Sequence, residues 1–372
     1  MKAVNQRLLA LDILRGITIA GMILVNNPGS WGKIYAPLAH ASWNGLTPTD
    51  LVFPFFMFIM GISTYISLKK YNFEWSNATA WKILKRTLVI FAIGLGLNWF
   101  SQFGKAWNYS LADFKDIRFL GVMQRLALCY CATALIAILV KHKHIPWIIL
   151  GLLLSYFCLL LFGNGFEYNE SNILSIVDRT VLGMNHMYKD NGIDPEGLLS
   201  TIPAIAHVLI GFWCGKQMLE VKDINEKIQG LFLTGTILTF AGFLLSYGCP
   251  INKKIWSPTF AITTCGLAST FLALLIWIID LKGKKTWSRF FESFGINPLF
   301  MFVTGSMLST VFGNIRFACG EKIFSLKGYI YGEVLQPLLG DYFGSFIFAI
   351  FFVSLVWMIG YVLYKKRIYI KI

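Results

Sequence analysis

The sequence predicts an all-α protein, a polytopic membrane bundle of about ten helices with both termini on the cytoplasmic side. Three observations predict it. Of 372 residues, 56% are hydrophobic and only 14% are charged, where a soluble domain carries about 25% charged residues. A series of apolar runs approaches or exceeds the roughly 20 residues that cross a hydrocarbon core. Basic residues also collect in alternate connections, as they do on the cytoplasmic side of membrane proteins.

Taken in order, the runs occupy 8–25, 51–68, 84–101, 118–140, 145–163, 198–217, 229–248, 257–280, 293–313 and 343–364. The first contains Asp12 and Arg15 and lacks a small-residue cleavage site, so it is expected to remain as a helix. With Lys2 and Arg7 inside, the inner connections gather Lys69, Lys70, Lys82, Lys85 and Arg86, then Lys141 and Lys143. Lys216, Lys222 and Lys227 follow, then Lys282, Lys284, Lys285 and Arg289, and finally Lys365, Lys366, Arg367 and Lys371. The long connection 164–197 holds six acids against two bases and belongs outside. No composition shift divides the chain, and residues 1–372 read as a single transmembrane domain.

The net charge of +14 is spread over short inner loops, where it meets anionic lipid, so the lipid bilayer is the expected partner and nucleic acid is not. There is no HExxH, no Cys/His cluster at ligand spacing, no Walker loop and no GxGxxG, and no metal is expected. Five of the seven cysteines lie within spans; Cys249 and Cys319 fall in outer connections and are expected to stay unpaired. The outer side carries three long connections, 26–50, 164–197 and 314–342, which suit a site for a bulky polar molecule.

Ionisable groups in or beside spans are costly to bury and mark candidate chemistry. Asp12 and Arg15 share a face of the first helix; they form either a structural pair or a site where Arg15 faces an anionic cofactor. Asn26, where that helix ends at Asn27–Pro28–Gly29, offers an amide to a developing oxyanion or a cap to backbone carbonyls. His40 is the best general-base candidate, with Asp50 to orient it, since imidazole titrates near neutral pH. Of the other histidines, His142 and His144 read as solvated loop, His186 as a loop brace and His207 as a hydrogen-bonded packing residue. Arg118 and Arg125 open the fourth run, Arg125 about 10 Å deeper at 1.5 Å per residue. It needs a counter-charge such as Asp12, a carbonyl, a wet cavity, or a phosphate held in a bidentate manner.

Several stretches carry a resemblance: LDILRG (11–16), VN (25–26), HASWNGLTPTDLVFPFF (40–56), IRFLGVMQRL (117–126), VDRTVLGMNHMY (177–188), DPEGLLSTI (194–202), NKKIWS (252–257) and LYKKRIYIKI (363–372). In this order they resemble the heparan-α-glucosaminide N-acetyltransferase family, in a bacterial form. The resemblance implies transfer of acetyl from cytosolic acetyl-CoA to the amine of a glucosamine-containing saccharide across the membrane. His40 matches the family's active-site histidine and Asn26 the asparagine beside it. Arg15, Gln124 and Arg125 are then expected at the CoA, with Trp256 and Ser257 lining the same cavity. Trp43, Asn44, Asp194 and Glu196 are expected on the acceptor side. The resemblance also implies a homodimer in the bacterial inner membrane. His40 either takes the amine proton or attacks the thioester itself. An amino-sugar transporter is the alternative reading. The family's lysosomal member has a luminal domain and a first helix unmatched here, and the segment from Asn26 to His40 is slightly longer.

Overall fold

The computed structural model describes residues 8–102, 116–188 and 190–370, and in it the apolar runs become helices. They are α1 (Leu9–Asn26), α2 (Val52–Lys69), α3 (Asn77–Phe100), α4 (Val122–Leu139) and α5 (Ile145–Phe162), then the short α6 (Ile173–Val181). After it come α7 (Thr201–Glu220), α8 (Ile224–Leu245), α9 (Pro258–Leu275), α10 (Arg289–Ile296) and α11 (Pro298–Asn314). The chain closes with the short α12 (Leu326–Tyr329) and α13 (Gln336–Leu339) and with α14 (Asp341–Lys365). Among the described residues nine helices are long and apolar enough to cross a membrane, and α10 with α11 makes a bent tenth. The protein is an all-α polytopic membrane bundle. Lys2, Arg7 and Lys371, three of the bases assigned to the inner side, lie outside the described residues.

Two departures have local causes. The run 293–313, expected as one span, is broken by a 79° bend at Asn297–Pro298. Proline supplies no N–H and pushes the preceding residue out of the helical region, and Asn297 takes φ −123°, ψ 57°. Its amide then docks the end of the chain, donating to Ile368 O and accepting from Ile370 N, each at 2.8 Å. The fourth helix starts at Val122 instead of 118, after an extended Gly121. A small antiparallel hairpin, β1 (Arg316–Cys319) and β2 (Lys322–Ser325), adds strand where none was expected.

Helices α1, α2, α4, α7 and α9 are more than half buried, whereas α3, α5 and α8 are less than a quarter buried. The outer three expose Leu88, Trp147, Leu154, Phe240 and Leu244, as a hydrocarbon-facing surface should. Helix contact inside relies on glycine, as in membranes where only close approach drives association. A Cβ on Gly61 or Gly211 would stand 2.2 Å from a carbonyl oxygen of the facing helix, which fixes α2 against α7. The connections before α2, before α7 and before α9 all lie at the end of the bundle where α1 finishes, called here the His40 end.

Candidate active site

Asp50 sits in a 3-10 turn (Pro48–Leu51) just before α2. Thr47 starts that turn in a capping box, its backbone N–H and hydroxyl donating to Asp50 Oδ2 at 3.2 and 3.0 Å. Ala41 N–H adds a third bond to the same oxygen at 3.1 Å. The other oxygen, Oδ1, lies 2.6 Å from His40 Nδ1. Asp50 is fully buried, while the His40 side chain is 43% exposed. A carboxylate only accepts hydrogen bonds, so the Nδ1 proton points at Asp50. Nε2 meets no hydrogen-bond partner among the described residues. This is the arrangement of a base held by a third group.

A third residue completes the cluster. Lys253 Nζ lies 3.3 Å from Asp50 Oδ1 and 3.0 Å from His40 Nδ1. It arrives because the segment before α9 is stitched to the His40 loop: Gly45 N–H donates to Ile251 O at 2.8 Å and Asn252 Nδ2 to Asn44 Oδ1 at 3.0 Å. Burial lowers the proton affinity of the Lys253 ammonium, against the pull of Asp50 and Glu196. Sequence reasoning passed over Lys253, although the NKKIWS stretch that carries it was a visible signal.

Asn26 is exposed at the end of α1 and lines a cavity of about 300 Å³ with Asn98, Arg118 and Gln124. Capping of α1 falls to its neighbour, since Asn27 Nδ2 donates to Ile23 O at 2.7 Å. Gln124 is buried, and its Nε2 meets no partner among the described residues. Arg118 binds both acids of the DPEG stretch, Asp194 through two nitrogens and Glu196 at 2.6 Å. Burial works against these charges, but the guanidinium holds Glu196 below the usual carboxylate range and is itself raised by Glu196 and Asp194.

Three residues expected at the cofactor are turned elsewhere. Arg125 is buried against the Trp256 ring and donates to Gly197 O at 3.2 Å and to Ser200 Oγ. Its expected partner Asp12 is instead bound to Arg15 at 3.0 Å, because backbone and hydroxyl acceptors of the 194–200 segment reach Arg125. Trp256 is buried between Phe53 and Phe260. Ser257 caps α9 through Phe260 N–H. On the acceptor side, Trp43 stacks on Tyr168 at 4.5 Å and donates to Phe166 O at 3.0 Å. Cys249 is buried and Cys319 exposed, both as free thiols.

Arg15 lies in a second cavity, of about 430 Å³, together with Lys82 and Arg86 of α3. Met22, Val122, Met123 and Phe302 line both cavities, so the two are neighbours along α1 and α4. Arg15 binds Asp12 and donates to Ser63 Oγ at 2.9 Å. Lys82 donates to Ser67 Oγ at 2.9 Å, and Arg86 lies 4.5 Å from the centre of the Tyr130 ring. Lys82 and Arg86 are four residues apart on one helix face, a spacing the sequence displayed but which read as membrane anchoring. Three cations in an apolar-walled cavity fit a phosphorylated ligand with an apolar stem.

Comparison with known proteins bears on the family of the chain. A family model described as "Heparan-alpha-glucosaminide N-acetyltransferase, catalytic" matches residues 7–247. A mouse protein (Mus musculus) named heparan-α-glucosaminide N-acetyltransferase is 27% identical over 433 residues, covering 98% of this chain and 60% of the relative. The human protein (Homo sapiens) of the same name is 28% identical over 382 residues, covering 84% of this chain and 54% of the relative. The chain thus spans somewhat more than half the length of the curated relatives it matches. Together with the His40 block inside the matched region, these findings show that the chain belongs to the heparan-α-glucosaminide N-acetyltransferase family.

Proposed function

We propose that this chain is a single-domain transmembrane N-acetyltransferase that moves acetyl from cytosolic acetyl-CoA to the amine of a glucosamine-type sugar on the opposite face. The observation that carries the reading is the His40–Asp50 pair at 2.6 Å, at the end of the bundle where α1 finishes. The basic cavity supports the donor side: Arg15, Lys82 and Arg86 would hold the CoA phosphates, with the acyl end directed to the Asn26 cavity. Gln124 and Asn26, which line that cavity, would offer amide donors to the thioester oxygen as it gains charge. Asp50 orients His40, whose Nε2 accepts the proton of the attacking amine or itself takes the acetyl group. The Lys- and Arg-rich connections support a cytoplasmic Arg15 end, with both termini on that side. A homodimer in a bacterial inner membrane accompanies this reading.

Purified protein incubated with acetyl-labelled acetyl-CoA, with and without glucosamine, tests it. Acceptor-dependent release of CoA and labelled N-acetylglucosamine is expected. Uptake of labelled glucosamine into vesicles in the absence of acetyl-CoA, without acetylation, would replace the enzyme with an amino-sugar transporter.

A further inference from the structure

Lys253 has no role in the chemistry written above, yet its ammonium is in contact with both members of the His40–Asp50 pair. The contact is built, not incidental. Asn252 N–H donates to Ser257 Oγ at 3.0 Å, Ile255 N–H to Asn252 Oδ1 at 3.2 Å, and Trp256 takes a left-handed φ of +50°. These bonds fix the turn that aims Lys253 while its neighbour Lys254 turns away to Asp190 at 2.7 Å. The Lys253 side chain is only 19% exposed.

Three polar atoms meet at this point, and only one of them accepts. An ammonium has donors only, and a neutral imidazole has one donor and one acceptor nitrogen. If Nδ1 carried the lone pair, it would face the Asp50 lone pairs at 2.6 Å. Nδ1–H and Nζ–H therefore both donate to Asp50 Oδ1. Asp50 alone would favour a second proton on the ring as well as the correct tautomer, and a ring with both nitrogens protonated is no base. An ammonium 3.0 Å from Nδ1 opposes that second charge. The charged groups facing the ring are Asp50, from the turn before α2, and Lys253, from the segment before α9. Glu196 acts on Lys253 from the third connection and is itself held by Arg118.

We propose that Lys253 is a positioning residue for His40: by sharing Asp50 Oδ1 with the imidazole, it keeps the ring singly protonated at Nδ1 and leaves Nε2 free to act. The proposal rests on the acetyltransferase reading of the site. Its geometric part, the protonation state of the ring, stands independently of turnover.

The test compares wild type, Lys253→Met and Lys253→Arg, as full-length protein in lipid nanodiscs. One readout is kcat/KM for glucosamine against pH at saturating acetyl-CoA. The other is the ¹⁵N spectrum of histidine-labelled protein, with the His40 signals assigned by difference from His40→Asn. For Lys253→Met, the expected result is a loss of about 10-fold or more at pH 7 and an acid limb moved to higher pH by about one unit. Both His40 nitrogens should then give imidazolium shifts at pH 7, where wild type shows one protonated and one bare nitrogen. Lys253→Arg should restore both readouts. A uniform loss at every pH with an unmoved limb and an unchanged ¹⁵N spectrum would overturn the proposal. So would a rise in KM for glucosamine alone, which would make Lys253 an acceptor-binding residue. Absence of transfer by wild type would remove the enzymatic reading, while the ¹⁵N spectra would still decide the role of Lys253.

Discussion

The two ends of the bundle hold their charges in opposite ways. At the His40 end, the charges of Asp50 and Arg118 are bound into networks. Asp50 receives His40, Lys253, Ala41 and two groups of Thr47, and Arg118 is shared between Asp194 and Glu196. At the Arg15 end, Arg15 has Asp12, but Lys82 and Arg86 meet hydroxyl and aromatic groups, with no carboxylate among the described residues. Groups saturated with partners are fixed before any ligand arrives, which suits a reacting centre. Cations without a carboxylate keep their affinity for an anion, which suits a binding site. One end is built to react and the other to bind.

The largest effect should come from breaking the reacting end. His40→Ala is expected to lower the rate of acetyl transfer by about 10³-fold or more and to leave acetyl-CoA affinity within a factor of about two. Equilibrium binding beside steady-state rates checks both halves, and wild-type turnover would remove His40 from the chemistry. Asn26→Ala should come next, with a kcat about 10²-fold lower if its amide meets the oxyanion. A change confined to KM would assign Asn26 to binding instead.

Structural damage at the same end should rank third. Asp194→Asn leaves Arg118 with Glu196 as its remaining carboxylate, and breaking such a buried pair costs about 3 kcal/mol. Thermal unfolding in detergent should show a clear drop. The binding end should answer differently. Replacing Lys82 and Arg86 together with alanine is expected to raise KM for acetyl-CoA roughly 10- to 100-fold, since each charged hydrogen bond contributes about 1.5–3 kcal/mol before screening. Little change in unfolding temperature should accompany it. If instead stability falls and KM holds, the contrast between the two ends is wrong.

The sequence displayed whatever depends on near neighbours. Apolar run length located the spans, and the ten-residue interval from His40 to Asp50 kept that pair within one loop. The Asp12–Arg15 pair followed from helical spacing alone. What escaped depends on contacts between distant segments. Lys253 reaches His40 from 213 residues away through bonds made by Asn44 and Gly45. Only Nη2 of Arg125 is met, by a carbonyl and a hydroxyl of the 194–200 segment that no charge pattern announces, while Nε and Nη1 have no hydrogen-bond partner among the described residues. The break at Asn297–Pro298 lies within a run whose hydropathy is continuous, so only the proline marked it.

The smallest effect concerns a buried acid at the reacting end. Asp178 of α6 is fully buried and accepts Leu198 N–H at 2.9 Å through one oxygen, while the other meets no partner among the described residues. Burial pushes its carboxyl up to about 6, although the Leu198 bond pulls the other way. An aspartate in the unfolded chain titrates near 3.9, so the native protein binds this proton more tightly than the unfolded chain does. The resulting stabilisation is complete below about pH 4 and is lost as pH rises through about 6. Asp178→Asn keeps the shape and removes the titration. Wild type and variant should therefore unfold alike near pH 4, and the variant should be the more stable by about 2 kcal/mol at pH 7. A gap that does not change between those two pH values would mean that Asp178 stays ionised in the folded protein, and the reacting end would then hold one more fixed charge.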